Sequence, residues 1–343
     1  MKARRTCALL AVVMVLAATW AGGPAGAGEP GQTWLAAAQD AEKDKAAVGP
    51  AAPQPEKAGP PERAWWGMHT IEGLGGGQIV PTAYLTNPKP VHFKIFGNPT
   101  VSASFWGRCG RKNLLTFAVS ETILERIELS YAFNRFDTGN LAHVVRKVIA
   151  NSIEDRNVLL HNWNIRGLLI EEDSFGIPMP AITGGVHFKY NSTIEDINDR
   201  LLVPLDVIGY ERSSGVDFTL FATKTLDFKP LPRTVVTVGV RNSDASDMGF
   251  LGFGDHRVNT LELGVQVFPI DQVFLSYEFR RRERQFSRMP VGGMLLGEEN
   301  WHAFGVGWLI TEDLSLNLGV LFLGNVANQK DAVGTALQLR WAI

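Results

Sequence analysis

Only two cysteines occur in 343 residues, and one of them, Cys7, lies within the first ten. Removal of a leader leaves Cys109 alone, so no intrachain disulfide can brace the mature chain. A long apolar run is missing too. The longest, Ala8 to Ala18, falls well short of the ~20 residues that carry a helix across a bilayer. Basic residues do not predominate: 33 Lys and Arg face 35 Asp and Glu, a formal charge of −2. That balance excludes a nucleic-acid partner.

Sites are absent in the same way. No Cys/His spacing suggests zinc, and the loop 242 to 247 lacks the calcium-loop pattern. The glycines Gly75 to Gly77 precede no Gly-Lys-Ser/Thr, so they are a close-packed backbone rather than a phosphate cradle. None of the seven histidines has a serine two residues on, so the His-x-Ser arrangement of barrel lipid hydrolases is missing. Asp244, Asp247, Asp255 and His256 share one loop, but a solvated polar loop explains them better than a protease site does. The expectation is a protein that is not an enzyme, with no catalytic residue, metal or cofactor.

What the sequence does have is apolar residues dispersed in alternation, 45% of the whole. Phe304, Val306, Trp308 and Ile310 share one face of a run beginning at Trp301, and Leu314, Leu316, Leu318, Val320 and Phe322 share one face of the next. Period two marks strands, and the link Thr311 to Asp313 is so short that the two pair as an antiparallel hairpin. Twelve such runs follow from Thr100, with cores at 100–108, 113–120, 126–135, 161–170, 181–190, 216–225, 233–242, 257–267, 272–281, 300–309, 313–323 and 332–341. Each approaches the ~9 to 11 residues of a tilted membrane strand. Links of a few residues alternate with mostly longer ones, the arrangement of outer-membrane barrels with short periplasmic turns.

The fold expected is therefore all-β: a transmembrane antiparallel up-and-down β-barrel of about twelve strands, with a range of 12 to 14, and a short helix in an extracellular loop. Leu141, Val144, Val145, Val148 and Ile149 recur at helical spacing, which places an amphipathic helix at 139–155, and a second short helix is read from Ile194 to Leu202. One face of the strands is bulky and apolar; the other carries Glu128, Arg166, His187, Lys189, Arg241, Glu262, Glu278, Arg280 and Arg340 among small polar residues. That division suits lipid outside and a hydrated or salt-bridged lumen inside. Arg281, Arg282 and Arg284 end an upward strand, at the height where lipopolysaccharide phosphates lie, and are candidate contacts to them.

Lys2, Arg4 and Arg5, the apolar run and Ala25-Gly26-Ala27 read as a cleaved signal peptide over 1–27. Residues 28–63, rich in Ala and Pro, read as a disordered periplasmic tether. The barrel occupies 64–343, opening with a Gly-rich entry segment at 64–99 that is either a first hairpin or an insertion into the barrel mouth; Pro81 argues against a central strand there.

His69 to Pro81, HTIEGLGGGQIVP, and Leu124 to Gly139, LERIELSYAFNRFDTG, resemble a bacterial domain-of-unknown-function family, number 3034. Its members look like outer-membrane β-barrels, and the resemblance runs from about residue 66 to the C-terminus. It implies a location in the outer membrane of a Gram-negative cell and no established activity. The expected function is a channel or uptake protein for small solutes, gated by the 139–155 helix; the alternative is a structural or assembly barrel. Expected partners are outer-membrane lipid, a small solute and a periplasmic protein reached through residues 28–63.

Overall fold

The computed structural model describes residues 68–87, 95–109, 112–138, 157–200, 205–286, 299–324, 326 and 333–343. The leader expected at 1–27, the tether expected at 28–63 and the helix expected at 139–155 lie outside the described residues.

β-Branched and aromatic residues alternating with small polar ones favour extended backbone. They form twelve long strands: β1 (Thr100–Cys109), β2 (Lys112–Ile123), β3 (Ile127–Asp137), β4 (Asn157–Ile170), β5 (Ala181–Asn191), β7 (Ser214–Leu226), β8 (Arg233–Ala245), β9 (Phe253–Ile270), β10 (Val273–Arg280), β11 (Trp301–Leu309), β12 (Leu314–Phe322) and β13 (Val333–Ala342). A three-residue strand, β6 (Tyr210–Arg212), adds to the end of β9. Each long strand pairs antiparallel with its neighbours in sequence order, and β13 returns to β1 with Thr100 opposite Ala342. The ring is closed, so no long strand offers a free edge.

Closure fixes the faces. Phe105, Phe117, Trp163, Ile165, Val240, Leu318 and Trp341 are 43 to 58% exposed. In water a surface of this kind is an aggregation liability; around a closed barrel it is the lipid-facing band. Polar tips within the band are paired: Tyr131 Oη lies 2.8 Å from His161 Nδ1, and Tyr277 Oη lies 3.0 Å from His302 Nδ1. The inner face is polar, with Glu128, Arg166, Lys189 and Glu262 almost wholly buried.

The ends of the barrel differ. One carries tight turns, including Leu124 to Arg126 between β2 and β3, where Leu124 and Glu125 have φ of 52° and 61°. Two consecutive left-handed residues give the sharp reversal that a twisted hairpin requires. The other end carries the helix α1 (Ile194–Arg200), β6 and the buried loop from Ser246 to Gly252. We refer to these as the turn end and the loop end. The helix read from Ile194 to Leu202 is thus present through Arg200.

The Gly-rich segment adds no strand to the barrel. Residues 68–87 lie inside it, and all of them except Tyr84 are buried. Their bridges are internal, His69 with Gly75 and Gly76 with Pro81. Both legs reach the turn end: Met68 packs with Val235, Phe268 and Phe274, and the Thr86 carbonyl accepts from Thr122 Oγ1. The segment is a plug.

Candidate functional site, the plug and its charged seat

The strand register sets the seat before the plug is considered. Glu128 stands directly opposite Arg166, and Glu262 directly opposite Arg280. Cross-strand partners on the inner face meet as ion pairs: Arg166 reaches both Glu128 oxygens at 3.0 and 2.7 Å, and Arg280 Nε lies 3.1 Å from Glu262 Oε1.

Glu72, on the plug, completes the largest cluster. Its carboxylate lies 2.5 Å from Lys189 Nζ, 2.9 Å from Arg241 Nη2 and 3.3 Å from Arg280 Nη1. Lys189 and Arg241 also share Asp217, at 2.7 and 3.1 Å, and Arg241 Nε donates to Glu262 at 2.6 Å. Three acids meet three bases, all nearly inaccessible. Desolvating six charges is costly, and removing one partner from such a set leaves an uncompensated buried charge worth about 3–5 kcal/mol. Balance is what makes the cluster tolerable.

Further contacts hold the plug through its backbone. Glu278 accepts from three successive peptide N–H groups, those of Gln78, Ile79 and Val80, at 2.7, 2.7 and 2.8 Å. The glycines make this approach possible: a Cβ at Gly77 would stand 2.3 Å from Glu278 Cδ, and one at Gly76 would stand 2.5 Å from Pro81 Cα. Glu128 accepts from the Thr86 N–H at 2.7 Å, while Arg166 donates to the Thr82 carbonyl at 2.7 Å. Gln338, on β13, brackets His69, accepting from its N–H at 2.9 Å and donating to its carbonyl at 2.7 Å. The His69 ring lies between Ser102 and Ser120, 2.8 and 2.7 Å away.

All nine residues expected in the lumen are buried on the inner face. Glu128, Arg166, Lys189, Arg241, Glu262, Glu278 and Arg280 contact the plug or the cluster around Glu72. His187 supports that cluster indirectly: it meets Asn164 at 3.0 Å, which donates to the Glu72 carbonyl at 2.9 Å. Arg340 is the outlier, and its Nη2 donates to Thr100 at 3.4 Å. Sequence reasoning missed Asp217 and Glu72. Asp217 lies two residues from Thr219 on the inner face, between Val216 and the outward-facing Phe218, so alternation carried its signal. Glu72 lies in a segment without periodicity.

The three arginines proposed at lipopolysaccharide height divide. Arg281 is exposed and lies 2.6 Å from Glu283, and Arg284 is exposed. Arg282 turns inward, donating to Asp247 at 2.8 Å and stacking 4.4 Å over Trp301. Asp244, in the loop weighed for proteolysis, pairs with Arg212 and Arg257.

The closed ring, the apolar outer band and the polar, plugged interior together define an outer-membrane β-barrel, and the outer membrane is where this protein resides. The chain belongs to the family described as "Protein of unknown function (DUF3034)", whose sequence profile matches residues 66–340. No protein of curated function matches it in sequence. Solved structures of similar shape include the KdgM porin (8% identity, 71% of this chain and 99% of that one, TM-score 0.43). The P. putida toluene transporter TodX (8%, 81% and 99%, TM-score 0.36) and outer membrane phospholipase A from Escherichia coli (10%, 72% and 95%, TM-score 0.35) are also similar. At such identities these likenesses assign no activity.

Proposed function

We propose that this protein is a gated barrel for uptake of small solutes, with residues 68–87 as the gate. The observation that carries the reading is the mode of attachment. The plug is not hydrogen-bonded into the sheet as a strand; side chains of the wall hold it, through Glu72, through the N–H groups on Glu278 and through His69 on Gln338. Both legs leave at one end, so the segment can shift toward that end without opening a strand pair. A displaced plug would leave Lys189, Arg241, Arg280, Asp217 and Glu262 lining a hydrated path, where charges of both signs select among solutes. The gate is thus the plug itself, whereas the sequence alone pointed to a loop helix at 139–155. Arg281 and Arg284 remain the candidates for lipopolysaccharide phosphate.

The test is swelling of liposomes containing the refolded protein, with glycerol, arabinose and glycine as solutes. Wild type is expected to admit them slowly, and Glu72→Ala faster by tenfold or more. Equal, background-level entry by both folded proteins overturns the reading. It would favour the alternative, a structural barrel recruiting a periplasmic partner through residues 28–63, which a pull-down with and without that segment would then test.

A further inference from the structure

Three cations of the wall converge on a carboxylate that the wall itself does not supply. They are Lys189 of β5, Arg241 of β8 and Arg280 of β10, and the carboxylate is that of Glu72 on the plug. The contacts are divided between its two oxygens. Lys189 Nζ lies 2.5 Å from Oε1, to which Arg241 Nη1 donates at 3.3 Å. Arg241 Nη2 lies 2.9 Å from Oε2, which also accepts from Arg280 Nη1 and Nη2 at 3.3 Å.

Elsewhere the wall needs no such supplement. Arg166 is matched by Glu128 on the next strand, and Glu278 is turned to the peptide N–H groups of Gln78, Ile79 and Val80. In the seat the wall supplies Asp217 and Glu262 alone among the described residues, so three positive charges face two negative ones until Glu72 is in place. All of them are nearly inaccessible, where a cation without a counter-charge is strongly unfavourable. The seat therefore calls for one more negative charge borne on two oxygens, the form that guanidinium groups recognise best.

We propose that the seat is a binding site for a small monocarboxylate solute and that Glu72 is its built-in substitute: a free carboxylate takes the place of the Glu72 side chain and so releases the plug. A dianion would overshoot the single missing charge, and a neutral solute offers three cations nothing. The proposal rests on the uptake reading for its purpose and gives that reading a solute class. One ligand would then both open the path and travel it.

The experiment has two arms. Glu72→Ala removes from the seat the atoms of an acetate ion, so the refolded full chain carrying it is melted in detergent micelles and followed by heat-modifiable migration. The media are sodium acetate, sodium chloride of equal ionic strength, and the same chloride with acetamide, the neutral isostere. Acetate should raise the midpoint saturably, by about 2–4 °C over both controls. The rise should vanish in Glu72→Ala/Lys189→Met, where two cations face two acids. Equal midpoints in the three media overturn the site, as does a rise that survives Lys189→Met. If Glu72→Ala does not refold in chloride, its refolded yield in acetate against acetamide is read instead, and equal yields overturn the site.

Wild type in planar bilayers supplies the second arm. Potassium acetate should open it about tenfold more often than potassium chloride, the shift given by a ligand at about ten times its dissociation constant. Equal wild-type behaviour in the two salts, beside a conducting Glu72→Ala, overturns the proposal, since a free carboxylate then fails to replace Glu72. Silence of both proteins in both salts, beside a raised midpoint, would sink the uptake reading and leave the carboxylate site standing.

Discussion

In the middle of the barrel Glu72 is ringed by Lys189, Arg241 and Arg280, whereas one residue earlier Ile71, together with Ile79, faces a largely apolar chamber toward the loop end, beside Trp106, Trp301 and Leu321. The same plug thus meets two unlike surroundings. In the charged seat attachment is specific: each group has assigned partners, and losing one strands the others in a low dielectric. In the chamber attachment is by contact area, which falls gradually as atoms are removed. The seat sets where the plug sits.

This contrast ranks the consequences of mutation. Glu72→Ala should be the most damaging, costing the closed state about 3–5 kcal/mol by leaving three cations facing two acids; equilibrium unfolding in lipid against wild type measures it. Gly77→Ala should follow at about 1–3 kcal/mol, because the added methyl enters the space of the Glu278 carboxylate and breaks up its contact with three N–H groups. A chamber substitution, Ile79→Val, should cost about 0.5–1.5 kcal/mol, with no change in the ionic-strength dependence of unfolding. If Ile79→Val opened the barrel as readily as Glu72→Ala, the distinction between seat and chamber would fail. Least of all, Arg281→Ala removes an exposed pair with Glu283 and should change stability by less than about 1 kcal/mol. Its effect should lie instead in weaker association with lipopolysaccharide, read by co-migration of lipid with the refolded protein.

The barrel was legible because its signal is local and repeated. All twelve strands fall on the alternating runs, and the outward set, such as Val236, Val238 and Val240, faces away from the interior as alternation requires. Boundaries moved where the ladder runs on past the expected core, as from Asn157 to Leu160 in β4 and from Phe253 to His256 in β9. β6 went unread because three residues carry no periodicity. The plug is a different case. Its close-packed glycines were visible, but its partners are remote: Gln338 stands 269 residues from His69, and Glu278 stands 200 from Gln78. Nothing local to the segment could select the lumen over a first hairpin. The lumen charges were found one by one, yet their purpose as a seat needed Glu72, whose contacts only the folded ring supplies.

The central claim is that the Glu72 seat keeps this barrel closed. Single-channel recording in planar bilayers of the refolded wild type and of Glu72→Ala, each shown to be folded by heat-modifiable migration, tests it most directly. The account predicts a largely silent wild type and stable conductance steps in the variant. Equal, steady conductance in both proteins would contradict it, because the lumen would then be open with the seat intact.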